Sequence, residues 1–351
     1  MTATLRTWPY LLAALLRRED LSADDTRWAM REVMDNAHDP ACFAAFLVAL
    51  RAKGETAPEL AGLLDALMER VVPLPLDGSA MVDIVGTGGD GAHTVNISTM
   101  AAIVVAAAGV PVVKNGGRSV SSRSGSADVL EALGLPLTLD ADQIARCVTE
   151  LGLGFTFAPV FHHGLRHAAP TRRALGVPTA INYIAPLTNP ARSGIALVGC
   201  ANAELAPVLA QVLAGRGARA LVVRGHDGLD EITTAAPTDG WIAQEGGVRA
   251  VTFDTAHFGL PRVDADALRG GDVTYNAAAV HTVLGGAPGA ARDAVLANAA
   301  GALAAYDGFA GSFEEAFAAG LDRARAAVDS GAAAALLERW IKLAGSLAQP
   351  R

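Results

Sequence analysis

Residues 83–128 hold the densest chemistry in the sequence. Gly-Thr-Gly-Gly-Asp-Gly occupies 86–91 and Asn-Ile-Ser-Thr occupies 96–99. Lys-Asn-Gly-Gly-Arg follows at 114–118, and Ser119, Ser121, Ser122, Ser124 and Ser126 then lead to Asp128. Glycines at 86, 88, 89 and 91 let the backbone take positive φ angles and approach a ligand closely. N–H groups from such a loop, with the positive end of a following helix, make an anion site best suited to phosphate. The order Gly-x-Gly-Gly-Asp fits neither the Walker pattern nor the dinucleotide fingerprint. Lys114 and Arg118, at the end of the apolar run 110–113, stand where open α/β sheets gather anionic ligands. A glycine turn and a serine-rich cap would explain either loop alone. Two in tandem, each after a strand and before a helix, favour phosphate binding.

A second focus lies at 222–233, where an apolar strand ends in a glycine turn and Asp230 and Glu231 are adjacent. Neighbouring loop carboxylates suit a hard cation such as Mg²⁺, which keeps waters and bridges to substrate phosphates. Asp227, Asp230 and Glu231 would equally serve as turn caps. The phosphate loop upstream favours the cation. A third focus, 157–176, is dense in cations: Arg166, Arg172 and Arg173 with His162, His163 and His167. The histidine spacing resembles a metal set, but no Cys or carboxylate nearby completes a zinc site. An arginine here can grip a substrate carboxylate through two parallel bonds, or it can be a plain surface cation. No nucleophile elbow and no Cys-x-x-Cys is present, so covalent catalysis has no support.

The elements that must position these groups fall into two regions. Residues 1–73 read as helices: Trp8–Leu16, one capped by Ser22, a third from Asp39-Pro40 to Arg51, and a fourth from Ala57 to Val71. Residues 41–50 are apolar nearly all round, so that helix needs cover on several sides, from other helices or another subunit. From 82 onward strands near 82–85, 110–113, 154–157, 195–198, 219–223 and 250–253 alternate with helices near 99–108, 126–133, 141–151, 203–216 and 296–304. That alternation predicts a mainly parallel sheet with helices packed on it. Residues 160–192 interrupt the rhythm and are expected to pack back on the N-terminal helices, with 182–190 a proline-punctuated hinge or crossover between the two domains. Two amphipathic helices end the chain, and Trp340 is expected in their core.

The 351 residues suffice for two domains, and 51% hydrophobic content supplies the cores. Charged residues are only 18%, with alanine and glycine making up the difference, so packing should be tight. A net charge of −8 argues against broad nucleic-acid or acidic-membrane binding. An anionic substrate must therefore be held by local cations, backbone dipoles or a metal. Cys42, Cys147 and Cys200 are scattered, as expected of reduced thiols in a cytoplasmic protein. No signal-peptide pattern and no run of about 18 apolar residues appears, so no membrane span is expected.

In order along the chain stand Gly-Thr-Gly-Gly-Asp at 86–90, Asn-Ile-Ser-Thr at 96–99, Lys114 with Arg118, Gly-Ser-Ala-Asp at 125–128, Pro-Leu-Thr-Asn-Pro at 186–190 and Asp-Gly-Leu-Asp-Glu at 227–231. This ordered set resembles the anthranilate phosphoribosyltransferases, from Trp8 to the C-terminal helices. The resemblance implies an α/β fold with a small N-terminal helical domain (1–73, joined by part of 160–192). A large α/β domain (79–351) with a predominantly parallel central sheet would complete it. It implies Mg²⁺-dependent transfer of a phosphoribosyl group from 5-phosphoribosyl pyrophosphate to the amine of anthranilate, in a homodimer built through the helices. Gly86, Thr87, Gly88, Gly89, Asp90, Asn96, Ser98, Thr99, Lys114 and Ser122 would bind the phosphoribosyl pyrophosphate. Ser98, Asp230 and Glu231 would hold two Mg²⁺ ions. Arg172 would meet the acceptor carboxylate, with Pro159, Phe161 and His162 at the entrance for the ring. The family has His and Asn where this chain has Asn115 and Gly117 on the acceptor side. Ala185 stands where glycine is usual, and Arg224 where a small residue or His is usual. These departures leave room for a different aromatic amine as acceptor. A non-catalytic nucleic-acid-binding relative is the remaining alternative, opposed by the acidic charge and the retained Asp230-Glu231 pair.

Overall fold

The computed structural model describes residues 6–118 and 124–349. They form two compact units: one of residues through Val72 with Phe161–Thr188, the other of Pro73–Val160 with Asn189 onward.

In the first unit, helices Trp8–Leu16, Ala23–Met34, Pro40–Lys53 and Ala57–Glu69 begin where the sequence supplies caps. Ser22 and Asp25 cap each other's backbone in a reciprocal box, and Asp39 accepts from the N–H groups of Ala41 and Cys42. Trp8 packs on Trp28, Phe43 and Phe46, with ring centroids 5.3, 6.5 and 5.9 Å apart. The apolar third helix buries Phe43, Phe46, Leu47 and Leu50 but leaves Val48 45% exposed. Glu59 is fully buried, yet its carboxylate is satisfied by the N–H groups of Leu21 and Thr56 and by Lys53 at 3.0 Å. Residues 161–188 pack on these helices: Gly164 lies against Met34, and the Arg51 guanidinium sits 5.5 Å from the Tyr183 ring centroid. Residues 182–190 are more regular than an open hinge, because Ala180–Ile184 is helical and Ala185–Leu187 forms a 3₁₀ turn. Ala185 has φ −56°, so nothing in its backbone asks for glycine.

The second unit is built on seven strands: β1 Val82–Gly86, β2 Val112–Gly116, β3 Leu153–Phe157, β4 Ile195–Gly199, β5 Arg219–Gly225, β6 Thr238–Gln244 and β7 Gly247–Phe253. Their order is β3-β2-β1-β4-β5-β6-β7. Pairing is parallel from β3 to β5 and antiparallel for β6 and β7. The sheet is thus mainly parallel, as the alternation predicts. β2 runs further than expected, so Lys114 and Asn115 are strand residues rather than the start of a loop. β6 and the first half of β7 are not legible in the sequence. β6 carries Asp239 and Gly240, residues that strands avoid, near its start, and the turn uses Glu245 and Gly246 at φ 52° and 77° in place of an Asn-Gly pair.

Helix Ile97–Ala107, apolar on every side, is buried from end to end apart from Ser98 and Ala107. Helix Ala290–Tyr306, rich in alanine and glycine, is similarly enclosed. Small side chains let helices approach closely: a Cβ placed on Gly320 of helix Phe313–Asp329 would lie 2.6 Å from the carbonyl oxygen of Ala300. Helix Val273–Leu284, started by Asp272, also went unpredicted, since its apolar residues do not favour one face. Trp340 is 2% exposed in the last helix, in the core as expected. Gly320→Ala is expected to force these two helices apart and destabilise the protein by about 1–3 kcal/mol, read as a lower urea midpoint with unchanged slope.

Candidate active site

The glycine loop after β1 is fastened before any ligand arrives. Gly88 and Gly89 take φ 66° and 85°, a region that side chains disfavour. The Gly88 N–H donates to Asp230 Oδ2 at 2.6 Å, and the Thr87 N–H donates to the Gly199 carbonyl at 2.9 Å. Asp90 caps its own turn through the Ala92 N–H. The N–H groups of Gly89, Asp90 and Gly91 have no protein acceptor among the described residues. These three, not the whole loop, form the concavity suited to an anion.

Asp230 comes this close because two glycines allow it. A side chain at Gly86 would strike its carboxylate, and one at Gly199 would strike its backbone carbonyl. Gly199, at the end of β4, is a site residue that sequence reasoning missed; its only signal was a glycine closing a buried strand. Asp227 is the turn cap, accepting from the Leu229 N–H and the Thr233 hydroxyl. Asp230 and Glu231 do something else. The Ser98 N–H, at the start of helix Ile97–Ala107, faces the Glu231 carboxylate and favours its charged form. The helix end expected to receive phosphate directly is therefore already facing a carboxylate. Glu231 Oε2 is sealed from solvent and has no hydrogen-bond partner among the described residues.

Lys114 is 3% exposed, and its ammonium donates to the Ile84 carbonyl at 2.5 Å and to Ser98 Oγ at 3.2 Å. Burial pushes its proton affinity down, against the pull of Asp83 and Glu231. Burial pushes Asp230 well above the usual carboxylate range, and the nearby Asp90 adds to it. Burial and Asp230 do the same to Glu231, opposed by Lys114. Asp90, Asp230, Glu231, Ser98 and Lys114 thus share one cluster with more carboxyl groups than cations, in which burial favours the protonated forms of Asp230 and Glu231 until a cation arrives. No group of three His, Cys, Asp or Glu side chains among the described residues forms a closed metal cage. Two carboxylates and a hydroxyl are nonetheless what a partly hydrated Mg²⁺ takes from a protein. The unpartnered Glu231 oxygen fits that need.

The remaining expected residues are placed as follows. Asn96 is a fastener: its oxygen accepts from Asn276 and its amide donates to the Ser124 carbonyl. Thr99 is buried and donates to Ser126. Arg118, expected to meet a polyanion, is held by Asp128 and Glu131, each at 2.8 Å. Ser119, Ser121 and Ser122 lie outside the described residues. Asn115 is buried in β2, its oxygen accepting from Thr156. A Cβ added at Gly117 would meet nothing within 4 Å among the described residues. Arg224 donates to the Ala201 carbonyl.

In the helical unit Phe161 is 1% exposed, so its ring is a packed surface rather than an open rim; Pro159, in the other unit, is exposed. Arg172 is largely desolvated, which lowers its proton affinity, and its Nε is covered with no acceptor among the described residues. His162 Nε2 lies 3.1 Å from Thr188 Oγ1. Thr188 spends its proton on the Ala185 carbonyl at 2.6 Å, so Nε2 is the protonated nitrogen and Nδ1 is left covered and unpartnered.

Residues 78–334 match the glycosyl transferase family, a/b domain, and residues 9–71 match the glycosyl transferase family, helical bundle domain. The chain is 57% identical over 342 residues to an anthranilate phosphoribosyltransferase of Salinispora arenicola, covering 97% of each. It is also similar to the crystal structure of anthranilate phosphoribosyltransferase from Thermus thermophilus, with TM-score 0.87, 38% identity and coverage of 95% of this chain and 99% of that one. The enzyme of that name from Saccharomyces cerevisiae in complex with PRPP and Mg gives TM-score 0.86 at 28% identity, covering 97% of this chain and 98% of that one.

Burial pushes the His162 imidazole down to about 4. The folded state favours the neutral ring, so this contribution to stability is complete above the ordinary histidine value of ~6.5 and disappears as pH falls toward 4. His162→Gln is expected to flatten the acid limb of stability between pH 6.5 and 4, removing a slope worth up to about 3 kcal/mol, as measured by urea unfolding across that range.

Proposed function

The chain belongs to the anthranilate phosphoribosyltransferase family of glycosyl transferases, and from that membership we propose how its residues carry the reaction. The 5-phosphoribosyl group of 5-phosphoribosyl pyrophosphate passes to the amine of anthranilate, and pyrophosphate leaves. The bond from ribose C1 to the pyrophosphate oxygen breaks, a C1–N bond forms, and the nitrogen gives up a proton that is acidic once the bond exists.

The observation that carries this reading is the Gly88 N–H to Asp230 bond, which joins a phosphate-shaped loop to a carboxylate pair at one strand end. The N–H groups of Gly89 to Gly91 receive a phosphate, with Gly86, Thr87, Gly88 and Asp90 shaping the turn. Asn96 and Thr99 stand beside the loop, and Ser122, outside the described residues, is assigned to the donor by the family resemblance alone. Lys114 contributes positive charge from beneath the site, through Ser98. Ser98, Asp230 and Glu231 hold Mg²⁺, two ions when the pyrophosphate is bound. Bound Mg²⁺ supplies the counter-charge that the departing pyrophosphate requires. No side chain is asked to act as nucleophile or strong base.

On the acceptor side, the covered, unpartnered Nε of Arg172 supports its role in holding the anthranilate carboxylate. Pro159, Phe161 and His162 belong to the ring's approach, and Asn115 and Gly117 border the amine. The room at Gly117 among the described residues favours a second reading in which a bulkier aromatic amine is the acceptor. A dimer through the helical domain is supported by the apolar side chains left outside its core, Tyr10, Leu16 and Val48 at 40, 79 and 45% exposure. No helix among the described residues is long and apolar enough to cross a membrane, in keeping with the proposed cytoplasmic location.

Loss of anthranilate fluorescence with phosphoribosyl pyrophosphate is expected to require Mg²⁺. No loss, with the donor still binding by calorimetry, would move the acceptor to another amine. Arg172→Ala is expected to raise the acceptor KM about 10–100-fold while the donor KM changes little; equal changes in both would place the carboxylate elsewhere.

A further inference from the structure

The sheet has a seam between β1 and β2. These strands are in register at Val82 and Val112 alone, whereas β1 with β4 and β2 with β3 each pair through five successive residues. Past Val82, buried side chains take over the work of the ladder. Asp83 Oδ1 accepts from the Asn115 N–H at 3.0 Å, Lys114 Nζ donates to the Ile84 carbonyl, and Asn189 Nδ2 donates to the Val113 carbonyl at 2.6 Å. The Asn189 amide also lies beside the Asp83 carboxylate and favours its charged form, and its own oxygen accepts from the Ala191 N–H. Asp83, Lys114, Asn115 and Asn189 are all 3–4% exposed.

A buried carboxylate in a central parallel strand is an expensive choice that an apolar residue would avoid. Its position explains it. β1 leads into the glycine loop at 86–91, and β2 leads into Asn115–Gly117. Asp83 grips the second strand through the backbone of the very residue where it turns toward Gly117, and Asn189 closes the clasp from the chain returning into this unit.

We propose that Asp83, clasped by Asn189, is a positioning residue that sets the spacing between the glycine loop after β1 and the Asn115–Gly117 turn after β2. This rests on the reading above, in which the first loop holds the donor and the second borders the acceptor. Burial holds the Asp83 carboxyl up at about 6, opposed by the attraction of Lys114, and Asn189, Asn115 and Ile84 keep the group from rising further. In that reading the donor is held mainly by the first loop and the acceptor by the second, so a change in their spacing leaves individual binding largely intact and misaligns the reacting atoms. A misplacement on the order of 1 Å lowers the rate about 100-fold.

The test is Asp83→Asn, which preserves shape but sets one amide against another at Asn189, alongside Asn189→Ala, which opens the clasp from the other side. Both are compared with the unaltered protein using whichever amine it consumes, so that a wrong acceptor is separable from a wrong role for Asp83. The expected result is a fall in kcat of tenfold or more in each variant. KM for both substrates, and donor affinity by calorimetry with Mg²⁺, should stay within about threefold. Should Asp83→Asn fail to fold, Asn189→Ala alone decides the question. Donor affinity falling in step with kcat would overturn the proposal and make Asp83 merely the counter-charge of Lys114. Unchanged kcat in a folded variant would overturn it outright.

Discussion

The cluster of carboxyl groups buried at the C-terminal end of the sheet governs the rest of the molecule. Asp90 raises the proton affinity of both Asp230 and Glu231, and Asp230 raises that of Glu231 further, with Lys114 as the buried cation among them. Charges removed from water without full compensation are destabilising by several kcal/mol each. The surrounding structure is arranged to reduce that cost: the Gly88 N–H donates to one carboxylate and the start of helix Ile97–Ala107 faces another. Gly86 and Gly199 exist as glycines so that Asp230 fits at all. The imbalance that remains suits a site whose ligand brings its own cations.

The helical unit carries the opposite imbalance. Arg172 is a half-buried guanidinium whose Nε lacks an acceptor among the described residues, in a protein that is acidic overall. Each unit therefore holds a charge that its own described residues leave incompletely answered. A ligand that answered either charge would add its binding free energy to the stability of that unit. The acidic surface plays little part in this, because the charges that matter are local and shielded from solvent.

Local sequence disclosed the caps at Ser22 and Asp39, the parallel strand series and the glycine loop, because each depends on a few adjacent residues. β6 and helix Val273–Leu284 were illegible for the complementary reason: Asp239 and Gly240 argue against a strand until β5 and β7 pair with them, and an evenly apolar helix shows no periodicity. Residue types at the site were readable, but their commitments were not. Nothing near Asn96 in the chain announces Asn276, 180 residues away, and nothing near Arg118 distinguishes a phosphate ligand from a partner of Glu131. The clasp at Asp83 was invisible for the same reason, since Asn189 arrives from more than a hundred residues downstream. Asp230 and Glu231 could be told from the turn cap Asp227 only once their burial was known.

The alanine-rich packing of helices Ala290–Tyr306 and Ile97–Ala107 bears on how this protein meets temperature. Alanine gives up no side-chain rotamers on folding, so these helices pack against the sheet with little entropic opposition. It also removes less apolar surface from water per residue than leucine or phenylalanine would. The heat-capacity change of unfolding scales with that surface. A core assembled from close backbone contact rather than large side chains therefore yields a broad, shallow stability curve, with folding less dependent on the warmth of its surroundings.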